Sequence, residues 1–226
     1  MNLPKKINPD RIKDAIIEIE YEADLPFEIL LGLFFSELDD SFKFINRPSK
    51  FKIGLFYNDK IKFEVKERTI TFNCFENYNN WSVYFPEVKK TIKQLMATGH
   101  IEQFKKISVR YINEFRDKTI QDFSKFNFTF DKPNIRSKNF RFNQEYYLED
   151  EKIILNLATV DLSQEQQNTI NANTLSIIDI CVQSKVSDIK FPKELFQLLE
   201  QLHIKEKEVF FGLVTEEFLK NSNPEY

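Results

Sequence analysis

The sequence is poor in glycine. It contains four glycines among 226 residues, and none of them lies in a loop with several others. A P-loop and a dinucleotide-binding turn both need such a loop, because their backbone must approach phosphate groups closely. The scarcity of glycine therefore excludes nucleotide binding by either route.

Cysteine and histidine are equally scarce, with two of each. Cys74 and Cys181 lie within apolar stretches typical of strands, and two such residues form neither a disulfide framework nor a zinc-binding spacing. His100 follows a predicted helix end and His203 lies in the last predicted helix. Nucleophilic catalysis needs a base beside its nucleophile, so we assign both histidines to structural roles. We expect neither a metal nor another cofactor.

The chain also lacks a long apolar run. A membrane-spanning helix needs about 20 such residues, and the basic start, MNLPKKINPDR, is not followed by the apolar stretch of a secretory signal. We therefore expect a cytoplasmic protein with no membrane partner. The net charge of -3, from 32 basic and 35 acidic residues, argues against a surface devoted to nucleic acid.

What the chain does contain is typical of a soluble globular protein. It is 42% hydrophobic and 30% charged, and 24 of its residues are phenylalanine. This length suffices for a sizeable core. The abundance of Phe, Lys, Asn and Ile suggests an AT-rich bacterial genome.

Hydrophobic periodicity predicts an α+β protein. Alternation with a period of two indicates strands, and apolar residues at helical spacing indicate helices. The three consecutive strands predicted between residues 51 and 75 form a meander, in which Leu55 and Tyr57 are predicted to share the core face with Phe63. The predicted strands are 14–21, 51–57, 60–66, 69–75, 105–115, 139–148, 152–161 and 174–184; the predicted helices are 27–38, 86–98, 119–126 and one from Pro192 past Phe218; 39–50, 127–138 and 164–173 are predicted loops.

The element order β-α-β-β-β-α occurs twice, and the strand KKISVRYINEF opens the second copy. We interpret this order as an internal duplication with halves 1–104 and 105–226. The halves are expected to pair through their first strands, forming one curved antiparallel sheet with helices on one face. This outline is similar to the TATA-binding-protein and helix-grip folds, a similarity of architecture that implies no function.

Arg110 lies in the middle of the KKISVRYINEF strand, on the face predicted to be exposed to solvent. If the first strands of the halves are neighbours, Arg110 opposes Glu18 and Glu20, and a cross-strand ion pair explains it. The functional alternative is that Arg110 recognises an anionic group on a partner. Arg110, Asn113, Glu18 and Glu20 are accordingly the candidate binding residues.

Acidic residues on strands provide the enzymatic alternative. Glu18, Glu20 and Glu22 follow one another at about 7 Å on one strand face and offer oxygen ligands to a divalent cation. Glu64-Val65-Lys66, preceded by Asp59, has the Glu-x-Lys form of many restriction-type nucleases. A metal-dependent hydrolase or nuclease is therefore the second hypothesis. A row of glutamates is more often the solvated face of a strand, so we favour the structural interpretation.

Three stretches carry a family resemblance. They are LPKKINPDRIKDAIIEIEYE at the start, VRYIN in the central strand and LHIKEKEVFFGLVTEEF near the end. The chain resembles a sporadically distributed bacterial family of uncharacterised proteins with a central Gly-Leu-Arg-Tyr-Ile-Asn motif. The matching positions are Ala15, Ile16, Glu18, Arg110, Tyr111, Ile112, Asn113, His203, Phe210 and Thr215, whereas Ser108 and Val109 depart from the motif.

The resemblance implies no reaction, cofactor or substrate. Sporadic distribution is typical of mobile and defence-associated genes, which implies an accessory role in such a system. Together with the residue patterns, this favours a non-catalytic module that binds another protein through the exposed sheet face or the helical side.

Overall fold

The structure is a computed structural model that describes residues 3–46, 53–76, 78, 80–126, 139–148, 150–184 and 188–226. These residues form a mixed α+β fold with one antiparallel sheet of nine strands and six helices. The strands are β1 (Ile12–Ala23), β2 (Lys43–Asn46), β3 (Gly54–Tyr57), β4 (Ile61–Val65), β5 (Thr69–Cys74), β6 (Ile101–Arg116), β7 (Asn139–Leu148), β8 (Glu151–Asp161) and β9 (Thr174–Ser184). The helices are α1 (Phe27–Glu37), α2 (Trp81–Ala97), α3 (Ile120–Phe123), α4 (Gln164–Ile170), α5 (Pro192–Leu213) and α6 (Glu216–Asn221).

The two longest strands, β1 and β6, pair with each other near the middle of the sheet. The strand order is β2-β3-β4-β5-β1-β6-β9-β8-β7. Ile17 lies opposite Val109 and Ile19 opposite Ile107 in the β1–β6 ladder. The expected direct pairing of these two strands is therefore confirmed, and the KKISVRYINEF strand joins the two groups of meandering strands.

One face of the sheet is covered by helices. Alternate residues of the central strands, such as Ile17, Val109 and Ile180, are fully buried on this covered face. Helices α1, α2, α3, α5 and α6 all place side chains against residues of the covered face. The opposite face, which we call the open face, carries the alternate, mostly polar residues of the same strands.

A row of phenylalanines crosses four neighbouring strands on the covered face. Phe44, Phe56, Phe63 and Phe72 are direct partners in successive ladders, and their ring centroids are 4.9 to 5.2 Å apart. Side chains of direct cross-strand partners point to the same face. The expectation that Leu55 faces the core with Phe63 is therefore wrong, because Phe56 occupies that position.

Several predicted boundaries are also wrong. Strand β2 and helix α4 lie where loops were expected, and α2 begins at Trp81 rather than at Pro86. The last helix does not continue past Phe218, because α5 ends at Leu213 and Thr215 caps the separate helix α6 by accepting a hydrogen bond from the Phe218 N–H.

Other expectations fall outside the described residues. These are the predicted loop 127–138 and the start of the strand predicted at 51–57. Within the part of the chain that is described, no helix combines the length and the apolar character needed to cross a membrane.

Candidate functional site

Arg110 lies on the open face and is bound by a carboxylate. Its Nε and Nη2 atoms donate to the two carboxylate oxygens of Asp179 on β9, each at 2.7 Å. Asp179 is 7% exposed and also accepts a hydrogen bond from Asn156 at 3.1 Å. This bidentate bond raises the pKa of Arg110. The arrangement fixes the guanidinium against the sheet.

The expected ion pair between Arg110 and the Glu18–Glu20 row is not formed. Ile16 is the direct partner of Arg110 in the β1–β6 ladder, and Glu18 lies opposite Ser108. Glu20 instead lies 3.5 Å from the ammonium group of Lys106. Arg110 instead binds Asp179 on β9. The direct partner of Arg110 in the β6–β9 ladder is Cys181, and Asp179 lies on the diagonal, two residues away.

Asn113 lies on the other side of the sheet from Arg110. It is 4% exposed and lines a narrow cavity of about 50 Å³ beneath α5. The predicted binding residues are thus divided between the two faces, and no single site brings them together. We call the cavity that Asn113 lines the Tyr111 cavity. Its interior is formed by Tyr78, Tyr111, Asn113, His203, Glu206 and Phe210.

A chain of two hydrogen bonds connects three side chains of the Tyr111 cavity. The Tyr111 hydroxyl lies 3.0 Å from Nδ1 of His203 and 3.1 Å from the hydroxyl of Tyr78. Burial lowers the pKa of His203 to about 3, with a smaller contribution from Lys207. The imidazole is therefore neutral at physiological pH and can accept or donate through Nδ1.

A buried carboxyl group faces the same cavity. Glu206 is 2% exposed, and its Oε1 atom has no hydrogen-bond partner among the residues that the structure describes. Burial raises the pKa of Glu206 well above its ordinary value, against the opposing charge of Lys207. Burial therefore favours the protonated form of this carboxyl group.

A much larger groove lies on the helical side, between α2 and the start of α5. It has a volume of about 1120 Å³, and we call it the α2–α5 groove. Its floor is aromatic: Phe85 and Phe196 meet edge to face with ring centroids 6.4 Å apart. At its rim, Phe191 is 64% exposed. An exposed aromatic ring beside an apolar groove is typical of a partner-binding surface.

Lysines surround this apolar floor. Lys89 and Lys93 hold their ammonium groups 4.6 Å above the ring of Phe85 and 5.9 Å from that of Phe196. Lys193 lies on the opposite wall. None of these three lysines has an acidic partner among the residues for which positions are described. The groove therefore combines apolar surface with uncompensated positive charge.

Trp81 contacts residues that line the two sites. Its indole stacks on Phe85 at 4.4 Å and on His203 at 4.1 Å, and its Nε1–H donates to Glu200 at 2.8 Å. Phe85 and Glu200 line the groove, whereas His203 lines the cavity. This tryptophan, the only one in the chain, is in contact with both.

Sequence reasoning did not identify the groove, although one signal was present. Phe85, Lys89 and Lys93 are spaced by four residues and therefore lie on one helical face. The other side of the groove comes from Phe191 and Phe196. These residues lie more than 90 positions further along the chain, and no local sequence pattern connects them to α2. The cavity was found only in part, through Asn113.

Three acidic residues of the hydrolase hypothesis lie beside basic side chains: Glu20 as given above, Glu22 and Glu64. Glu18 instead accepts a hydrogen bond from Thr71. Glu22 lies 3.5 Å from Lys105, and Glu64 lies 3.6 Å from Lys66. Across the described ranges, no group of three His, Cys, Asp or Glu side chains is arranged to hold a metal ion. Comparison of the chain with protein-family models and with curated proteins gave no match.

Proposed function

We propose that this protein is a non-catalytic module that binds another protein through the α2–α5 groove. The observation that carries the proposal is the aromatic floor formed by Phe85 and Phe196, open to solvent and continued at the rim by Phe191. Apolar side chains of a partner would gain about 25 cal/mol for each Å² of surface that they bury there.

The charges around the groove define the partner. Lys89, Lys93 and Lys193 favour acidic side chains on either side of an apolar anchor. A helix with Leu or Phe at positions i, i+3, i+4 and i+7 and with Glu or Asp beside them has this arrangement. The partner is therefore an acidic amphipathic helix of another protein.

A synthetic peptide pair tests this proposal directly. One labelled peptide carries leucines at helical spacing and glutamates at all other positions, and its counterpart has lysines in place of the glutamates. We expect the acidic peptide to bind and to change the emission of Trp81, because the indole stacks on the floor residue Phe85. Its affinity should fall as salt is added.

Groove variants and a matched control show where the peptide binds. Phe191→Ser and the double variant Lys89→Glu, Lys93→Glu should each weaken binding at least about tenfold. Lys62→Glu, an exposed lysine on β4, should leave it unchanged. Equal binding of both peptides, or an unchanged affinity in both groove variants, would contradict the proposal.

The natural partner can be sought with the same variants. Cross-linked pull-downs from the native host should retain a protein with the wild type and with Lys62→Glu, and lose it with Phe191→Ser. Arg110→Ala is the critical comparison, since Arg110, Glu18 and Glu20 stay predicted contact residues on the open face. Loss with Arg110→Ala alone would place the partner on the sheet instead.

We also propose that the fold arose by internal duplication. From the central pair outward, the order β1-β5-β4-β3 on one side matches β6-β9-β8-β7 on the other, and β2 has no counterpart. This match supports two halves, but β6 begins at Ile101, so their boundary lies before that strand rather than at 104/105. A TATA-binding-protein-like outline, a bacterial and cytoplasmic setting, a defence-associated role and membership of the family with the Arg-Tyr-Ile-Asn motif are further parts of this proposal. The described side chains offer no ligand set that favours the hydrolase alternative.

A further inference from the structure

The Tyr111 cavity has the features of a built site for a small ligand. It is enclosed by the N-terminal arm at Ile7 and Asp10, by β6 and by α5. Its volume of about 50 Å³ holds roughly three or four water-sized groups. The stretches that carried the sequence resemblance meet here, because Tyr111, His203 and Phe210 all line the space.

An unsatisfied buried group points to what the cavity lacks. Glu206 lies within helix α5, and its Oε1 atom has no partner among the described residues. A buried polar group left without a hydrogen bond costs about 1–3 kcal/mol. In its protonated form, this carboxyl group offers an O–H donor to the cavity.

The hydroxyl chain supplies a second donor. When Nδ1–H of His203 donates to Tyr111, the Tyr111 hydroxyl donates to Tyr78, and the Tyr78 O–H is free to donate. Both tyrosine hydroxyls stay protonated, because burial raises the pKa of each. The protonated Glu206 carboxyl group and the Tyr78 hydroxyl therefore both border this small space as O–H donors. Aromatic rings form part of its lining.

The charges near the cavity favour an anion. Lys5, Lys6 and Lys207 line it, against the carboxyl groups of Asp10 and Glu206. Lys207 is half-buried; burial lowers its pKa, Glu206 opposes this shift and the charge of Lys5 adds to it. Lys5 and Lys6 also bind the Tyr226 carbonyl oxygen and Glu225, so Lys207 is the ammonium group best placed to attract a ligand.

We propose that the Tyr111 cavity binds a small monocarboxylate of formate or acetate size, whose oxygens accept hydrogen bonds from Glu206 and Tyr78 beside the ammonium group of Lys207. The cavity volume limits the ligand to a few heavy atoms. A cation would leave the two O–H donors unpaired and would approach three lysines. This site is distinct from the α2–α5 groove, and it does not depend on the proposed partner.

The test uses sodium formate and sodium acetate as probes, with sodium chloride at equal ionic strength as the reference. Both carboxylates should raise the melting temperature saturably, because a ligand of the native state stabilises it. They should also change the emission of Trp81, which stacks on the cavity residue His203. Methylammonium chloride and acetamide serve as the cationic and the neutral probe of similar size.

Two variants connect the response to the cavity. Tyr78→Phe removes the terminal O–H and Lys207→Gln removes the ammonium group, and each should weaken acetate binding at least about tenfold. Lys62→Glu, at an exposed lysine on β4, should not alter it. The ring nitrogens of His203 give an independent readout by ¹⁵N NMR, since acetate should select the tautomer with the proton on Nδ1.

Three outcomes would overturn the proposal. They are a saturable response to methylammonium rather than to the carboxylates, a response no larger than that to chloride, and an acetate affinity unchanged by both Tyr78→Phe and Lys207→Gln. Loss of acetate binding in these variants with peptide binding intact would separate the cavity from the groove.

Discussion

Trp81 lies flat against the imidazole of His203, with ring centroids 4.1 Å apart and an angle of 9° between the planes. This stack joins the first turn of α2 to the middle of α5. Because the chain has one tryptophan, all tryptophan emission comes from Trp81.

The first prediction concerns the charge of that imidazole. Burial lowers the pKa of His203 to about 3, and a protonated imidazole in contact with an indole quenches its emission. We expect the emission of Trp81 to stay constant from pH 8 to pH 5. The control is His203→Phe, which keeps a ring against the indole but cannot titrate. Quenching with a midpoint near pH 6.5, seen in the wild type but not in the control, would contradict the prediction and show that the imidazole is exposed to solvent.

The second prediction concerns the partner of Arg110. Arg110→Ala leaves the carboxylate of Asp179 buried with Asn156 as its remaining donor. Because the arginine side chain is 41% exposed, we expect a loss of about 2 kcal/mol in unfolding free energy, below the cost for a fully buried pair. Urea unfolding of the double-mutant cycle with Asp179→Ala should give a coupling of at least about 1 kcal/mol.

The corresponding cycle between Arg110 and Glu18 is the control. Glu18 accepts a hydrogen bond from Thr71, whereas the guanidinium of Arg110 donates to Asp179, so the coupling of Arg110 with Glu18 should stay within about 0.5 kcal/mol. A larger coupling with Glu18 than with Asp179 would mean that Arg110 turns toward β1, as the sequence had suggested.

The third prediction concerns the phenylalanine row. Phe63 is fully buried between Phe56 and Phe72, and Phe63→Ala should lower the unfolding free energy by about 3–5 kcal/mol. Leu55 is half-buried on the other face, and Leu55→Ala should cost less than about 1.5 kcal/mol. Chemical denaturation of both variants compares them, and equal losses would be inconsistent with this register.

The strands were the most predictable part of the fold. The period-two pattern of β1 and β6 and the apolar run of β9 each have one structural interpretation, because a strand in a half-covered sheet must alternate and a central strand must be largely apolar. Helix α4 was missed because it has no buried residue and therefore no apolar periodicity. Its capping box, in which the Gln166 side chain accepts from the Ser163 N–H, was the available signal.

The candidate sites were less predictable because they depend on contacts between distant segments. The partner of Arg110 is decided by the register of β6 on β9, which places Asp179 on its diagonal. The groove needs the start of α5 beside α2, and the cavity needs the N-terminal arm beside Glu206. A local pattern contains none of these distances, so it can suggest residues such as Asn113 but cannot assemble their surroundings.

The last prediction uses the opposite pKa shifts of His203 and Glu206. The pKa of Glu206 is raised from 4.5, so its stabilising contribution is complete below pH 4.5 and declines as the pH rises toward the folded-state pKa. The pKa of His203 is lowered from 6.5 to about 3, so its contribution is complete above pH 6.5 and declines as the pH falls. Between pH 4.5 and 6.5, the two dependences oppose each other.

Glu206→Gln should separate these two dependences. The variant cannot release a proton at this position, so its unfolding free energy should rise relative to the wild type by up to about 1.4 kcal/mol per pH unit above pH 4.5. Urea unfolding at pH 5, 6 and 7 measures the difference. Lys5 and Asp10 near the cavity are common to both proteins, whereas the pKa of Lys207 responds to Glu206, so any titration of Lys207 is part of the measured difference. The control is Glu102→Gln, at an exposed position on β6. Its unfolding free energy should vary with pH as that of the wild type does.

A difference between Glu206→Gln and the wild type that is independent of pH would mean that the Glu206 carboxyl group is already ionised in the folded protein. Its unpaired and buried Oε1 atom argues against this outcome.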